Sequence, residues 1–196
     1  NSTATGFSVD FIENLIGNIM YERFNDITSK ADSPFLRGSF SYGKLNDAME
    51  ATVGSVTLKE DNIEGGFKSF LTELEKLKRF GFSEGEVTRA KDNLLSYFEK
   101  AANEAETRKN PEFVHPLVNN FFDNEAYMEP SQEYELAKAF AGQINAQLLN
   151  QMASELIPEN NLVVIYSGPQ KEGIATPTES RLLALMEEVK AAEIEA

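Results

Sequence analysis

The 196-residue chain contains no cysteine and no tryptophan, and only one histidine. The absence of cysteine excludes a disulfide framework, a thiolate zinc site, an iron–sulfur cluster and a cysteine nucleophile. The lone His115 cannot supply a paired-histidine zinc motif, which needs two imidazoles at helical spacing. Set in Phe113-Val-His-Pro-Leu117, it reads as a structural or surface histidine rather than the base of a catalytic triad. No apolar run approaches the ~18–20 residues of a membrane span, and no basic stretch followed by an apolar one opens the chain as a signal peptide would. Basic residues are also scarce: 18 Lys and Arg face 32 Asp and Glu, for a net charge of −14. Such a chain repels nucleic acid phosphates, so neither nucleic acid nor membrane is an expected partner. The glycines carry no phosphate-loop pattern.

What is present is helical periodicity interrupted by a hairpin. Phe11, Ile12, Leu15, Ile16, Ile19, Met20, Phe24 and Ile27 recur at three and four residues and predict a helix over about 7–28. Gly17 inside it suggests close approach by another element. Arg23 lies on the apolar side, where a guanidinium needs carboxylate or carbonyl partners, so it reads as a structural residue. Two strand-like stretches follow, at about 34–45 and 48–59, joined by Gly43-Lys-Leu-Asn-Asp47 as an antiparallel hairpin. In the first, Leu36, Phe40 and Tyr42 share one face; Arg37, Ser39 and Ser41 share the other.

A helix over about 62–80 places Ile63, Phe67, Phe70, Leu71, Leu74 and Leu77 on one stripe and stops at Gly81. Ser83-Glu-Gly-Glu86 is a capping box that opens a second long helix, to about 106. Pro111, Pro116 and Pro130 break up a less regular helical region holding Leu117, Val118, Phe121 and Phe122. Helices are expected over 131–141 and 145–156. Leu162-Val-Val-Ile-Tyr166 has the profile of a buried strand. After a connector at 170–177, a helix over about 178–192 carries Leu182, Leu185, Met186 and Val189 on one side. The expected division is a domain over 1–170, then a linker and an exiting helix over 171–196. With three strands in view, an open sheet edge invites either a further strand or self-association.

Three segments, in order, resemble the pitrilysin/insulinase family of zinc metallopeptidases. Met20-Tyr-Glu-Arg-Phe24 is similar to that family's Arg-Leu signature. Gly81-Phe-Ser-Glu-Gly-Glu-Val-Thr-Arg-Ala-Lys91 is similar to its Gly-Phe-Thr-x-x-Glu-Leu-x-Arg-Ala-Lys segment. Asn160-Asn-Leu-Val-Val-Ile-Tyr-Ser-Gly-Pro169 is similar to its closing strand. The resemblance spans about 7–190. It implies an α+β fold of the pitrilysin/mitochondrial processing peptidase type, with helices packed on one face of a mixed or antiparallel sheet.

The resemblance further implies a domain without zinc ligands, which forms a chamber wall and contacts peptide substrate. Zinc and catalysis would belong to another domain of the same polypeptide, in a bacterial periplasmic or cytoplasmic parent. The tail Pro177-Thr-Glu-Ser-Arg-Leu182 resembles the joint leaving the first half of a four-domain member, which makes this the second domain. Family strands that precede the first long helix have no counterpart here, so the chain reads as a piece of a longer polypeptide. The family's supporting Arg and Tyr would fall near Ser29 and near Phe35 or Leu36, where neither residue type stands. Arg37, Ser39 and Tyr42 are therefore the candidate substrate contacts, with no catalytic or metal-binding residue expected.

Two other readings compete. One is a structural or peptide-binding scaffold of the same superfamily without protease activity. The other is an acidic enzyme using Glu84 and Glu86, or Glu104 and Glu106. Residues two apart on a helix do not face each other, so these pairs read as solvated faces.

Overall fold

The computed structural model describes residues 4–46, 49–105, 128–153, 155–158, 161–168 and 172–195. Its elements are α1 (Ala4–Thr28), β1 (Phe35–Asn46), β2 (Met49–Leu58), α2 (Ile63–Phe80), α3 (Glu84–Asn103), α4 (Pro130–Ala141), α5 (Ala146–Ala153) and α6 (Glu179–Ala191). The fold is α+β, with an antiparallel β1–β2 sheet. No described helix is long and apolar enough to cross a membrane. His115 and the expected helical region around Leu117, Val118, Phe121 and Phe122 lie outside the described residues.

The chain forms two compact units, each discontinuous in sequence: Asn1–Ile19 with Ser83–Ala146, and Met20–Phe82 with Gln147–Ala196. The first unit holds the opening part of α1 with α3 and α4. An aromatic cluster joins them: the Phe7 ring lies 6.2 Å from Phe11, 5.7 Å from Phe98 and 6.0 Å from Phe140. The capping box forms as its sequence dictates. Ser83 Oγ accepts from the Glu86 amide at 3.3 Å, and Glu86 Oε2 accepts from the Ser83 amide at 2.8 Å. Lys91 Nζ donates to the Ile144 carbonyl at 2.8 Å and the Ala146 amide donates to Glu84 Oε1 at 3.1 Å, tying the α4–α5 connection to α3.

The second unit contains the hairpin. Phe24, Phe35 and Phe70 pack as a ring triad, with Phe24–Phe70 centroids 5.2 Å apart and Phe35 edge-on to Phe70 at 6.2 Å. Gly38 permits this contact: a Cβ there would stand 2.8 Å from the Phe24 ring. Among the described residues the close approach expected at Gly17 is not seen, since none lies within 4 Å of a Cβ built there. α6 lies along α2, where Leu182, Leu185 and Met186 form a buried cluster with Phe67. Arg181 bridges Glu64 at 2.8 Å and Glu188 at 2.9 Å, and Lys68 pairs with Glu188 at 3.0 Å. Arg79 donates to the carbonyls of Ala192 and Lys190 at 2.8 and 2.7 Å, closing the end of α6.

Two sequence expectations need correction. Among the described residues, 162–166 pair with no strand, and Leu162 to Ile165 are exposed rather than buried. Leu36 does not share the buried face of β1. A register irregularity between Phe35 and Arg37 breaks the alternation, so Phe35 is buried and Leu36 turns to solvent.

Candidate functional site

Alternation beyond that irregularity sorts the hairpin into two faces. Gly38 and Phe40 point inward and are buried; Arg37, Ser39 and Ser41 point outward and are exposed. The register sets Arg37 opposite Thr57, Ser39 opposite Ser55, and Ser41 opposite Val53, all exposed. Directly opposed residues have Cβ atoms about 4.5–5.5 Å apart, so these six form one strip. The strip offers hydroxyl donors and acceptors and one guanidinium. Among the described residues no carboxylate pairs with Arg37. Such a surface suits the carbonyls and carboxylate of an extended peptide better than an apolar ligand.

Of the sequence-predicted residues, Arg37 and Ser39 stand on this strip. Tyr42 is half-buried on the opposite face, paired with Thr52, and is not brought together with them. Ser55 and Thr57 were missed. They carry no motif, and only the register of β2 against β1 reveals them.

Arg23 stands elsewhere in the second unit. Its Nη2 donates to the Gly81 carbonyl at 2.7 Å, and its guanidinium lies 5.6 Å from the Phe82 ring centre. Gly81 adopts φ 67°, a left-handed conformation natural to glycine. Asn150 completes the turn through both polar atoms of its amide, bonded to Phe82 N and O. The hydrogen bonds from Arg23 and Asn150 satisfy backbone groups of the α2–α3 connection.

Among the described residues no three His, Cys, Asp or Glu gather in a way that could hold a metal. Of the carboxylates on α3 and α6, Glu84 and Glu86 accept from backbone amides, and Glu188 is held by Lys68 and Arg181. Those two cations draw the Glu188 carboxyl below its usual range, the bond from Lys68 being the largest cause.

The described elements form an α+β architecture whose β1–β2 hairpin leaves a polar strand face open to solvent. No family model matches the sequence. The chain is 22% identical over 151 residues to the protein named Probable zinc protease PqqL of Escherichia coli (strain K12), an alignment covering 74% of this chain and 16% of that protein. The crystal structure of the periplasmic protease PqqL from Escherichia coli superposes with a TM-score of 0.81 at 18% identity, covering 99% of this chain and 22% of that one. A predicted insulinase family protease from Yersinia pestis superposes with a TM-score of 0.75 at 13% identity, covering 96% of this chain and 40% of that one. The chain therefore has the fold of a pitrilysin/insulinase-like fragment, and its counterparts are segments of larger single-chain proteases.

Proposed function

We propose that this chain is a non-catalytic, chamber-forming domain of a zinc metalloprotease, in which the outer face of the β1–β2 hairpin contacts the peptide. The observation that carries the reading is the exposed strip of Arg37, Ser39, Ser41, Ser55 and Thr57 on a hairpin whose other face buries Gly38 and Phe40. An enclosing wall needs one apolar side for its own helices and one wet side for substrate. Hydrolysis belongs to another segment of the same polypeptide, because one histidine and no cysteine cannot build a zinc site here. Zinc enters the parent protein through that other segment, and the domain's partners are the remaining domains and the peptide. Similarity to a protein named as a zinc protease supports the reading.

Arg37→Ala in the full-length protease tests it. The side chain is exposed, so melting should not change. A loss of about tenfold or more in kcat/KM across a peptide panel is expected, equal to about 1.4 kcal/mol of transition-state binding. Unchanged kinetics removes Arg37 as a substrate contact.

A further inference from the structure

Acidic residues outnumber basic ones by 32 to 18 in this chain. The β1–β2 hairpin reverses the balance: its strands hold one acidic residue, Glu50, and two basic ones, Arg37 and Lys44. Alternation places Glu50 on the face away from the strip. The strip itself carries no carboxylate, since Arg37 shares it with Ser39, Ser41, Val53, Ser55 and Thr57. Its guanidinium stands at one end. Beyond Arg37 the next outward position by alternation is 35, but the register irregularity turns Phe35 inward, where it is buried against Phe24 and Phe70. In the other direction the strip runs on from Arg37 to Ser41, about 13 Å of strand. The side chains along that run are small and uncharged, so a peptide main chain can approach them closely. At the Arg37 end, the register sets Thr57 directly opposite, with Cβ atoms about 4.5–5.5 Å apart.

On the reading of the hairpin face as a substrate wall, we propose that Arg37 is a specificity-determining residue that holds the C-terminal carboxylate of the peptide, so that this face selects peptides with a free C-terminus. A guanidinium presents paired N–H donors in one plane and binds a carboxylate bidentately, which a neutral terminal amide cannot match. Thr57 offers a hydroxyl donor to the same group. A chain terminus fits better than an acidic side chain because the strip stops at Arg37. A main chain lying over Ser41 and Ser39 reaches Arg37 at its end, whereas one that carried on past it would leave the outward-facing alternation. Charge acts in the same direction. The acidic remainder of the chain repels an anionic terminus, and the hairpin, with more basic than acidic residues, is where that repulsion is relieved.

Peptide pairs identical except for a C-terminal acid or amide, cleaved by the full-length protease, test the anchor. Wild type should favour the acid by about tenfold or more in kcat/KM, and the preference should narrow as salt rises. Arg37→Ala should abolish the preference by slowing cleavage of the acid alone, with the amide changed by less than about twofold. Arg37→Lys keeps the charge but not the planar fork, and should retain part of the preference. Thr57→Val, close in shape but without the hydroxyl, should weaken it by about threefold. Equal cleavage of acid and amide by wild type overturns the anchor, as does a preference that survives Arg37→Ala. Equal slowing of both forms by Arg37→Ala overturns it too, while leaving the wall contact intact. So does an amidated peptide in which an internal Glu restores the rate of the free acid, since Arg37 would then read a side chain. A parent protein that cleaves neither form, or an Arg37→Ala variant that cleaves both as wild type does, removes the wall contact and the anchor together.

Discussion

The side-chain amide of Asn150 brackets the backbone of Phe82: Nδ2 donates to its carbonyl at 2.9 Å and Oδ1 accepts from its amide at 2.7 Å. One side chain thus does for an irregular turn what a neighbouring strand does in a sheet. Asn150→Ala leaves both groups of Phe82 without that partner, and chemical denaturation should show a loss of about 1–3 kcal/mol. Asn150→Asp keeps an acceptor but no donor, so it should fall between the two. Equal stability of all three proteins would show that water replaces the amide.

Two glycines should respond in opposite directions to alanine. Gly17 lies within α1 with no described residue within 4 Å of a Cβ built there, so Gly17→Ala should stabilise by about 0.5–1 kcal/mol through reduced chain entropy and better helix propensity. Gly38→Ala drives a methyl into the Phe24 ring and should cost about 1–3 kcal/mol. Urea unfolding of both variants checks the pair. A destabilised Gly17→Ala would mean that something unseen approaches α1 there.

The seat of α6 on α2 rests on its buried side chains. Leu185→Ala should cost about 2–5 kcal/mol, combining lost burial with the cavity left behind. Leu183, on the same helix but exposed, should tolerate alanine within about 0.5 kcal/mol. Hydrogen exchange of α6 in the Leu185 variant should locate the loss there.

Acid should loosen the same helix. Glu188 has a carboxyl held below its ordinary value by Lys68 and Arg181, so it binds its proton more readily when unfolded. Its contribution is therefore present above the unfolded-state value and is lost as pH falls through the lower folded-state value, in the window below about pH 4–5. Thermal melts across that window should show a steeper decline for wild type than for Glu188→Gln. Parallel curves would mean that water screens this exposed pair fully.

The chain alone should retain no stoichiometric zinc after dialysis, because its single imidazole and missing thiols leave no tetrahedral set. Metal analysis checks this directly; one tightly held zinc per chain would overturn it.

Much of the fold was legible because local chemistry decided it. Ser83 and Glu86 announce their cap at fixed spacing, and the apolar stripe of Phe67, Phe70 and Leu77 has no other stable use than a buried helix face. Legibility ended where distant partners decide. Leu36 and Phe35 are both apolar, and only the bulge of β1 against β2 selects which turns inward. Residues 162–166 have the composition of a buried strand, but composition does not supply a neighbour. For the candidate site, Arg37 and Ser39 followed from alternation along one strand, whereas Ser55 and Thr57 required the pairing of two.

The second unit draws on Met20–Phe82 and Gln147–Ala196, with the intervening chain spent on the first. During synthesis, Phe67 emerges long before Leu182, Leu185 and Met186, which complete its cluster. The nascent chain must carry that apolar stripe uncovered while the first unit's segment, Ser83–Ala146, is made. Emergence of α6, rather than emergence of the hairpin, is then the event that lets this unit close. A chain stalled before α6 should be the form that chaperones hold and proteases clear.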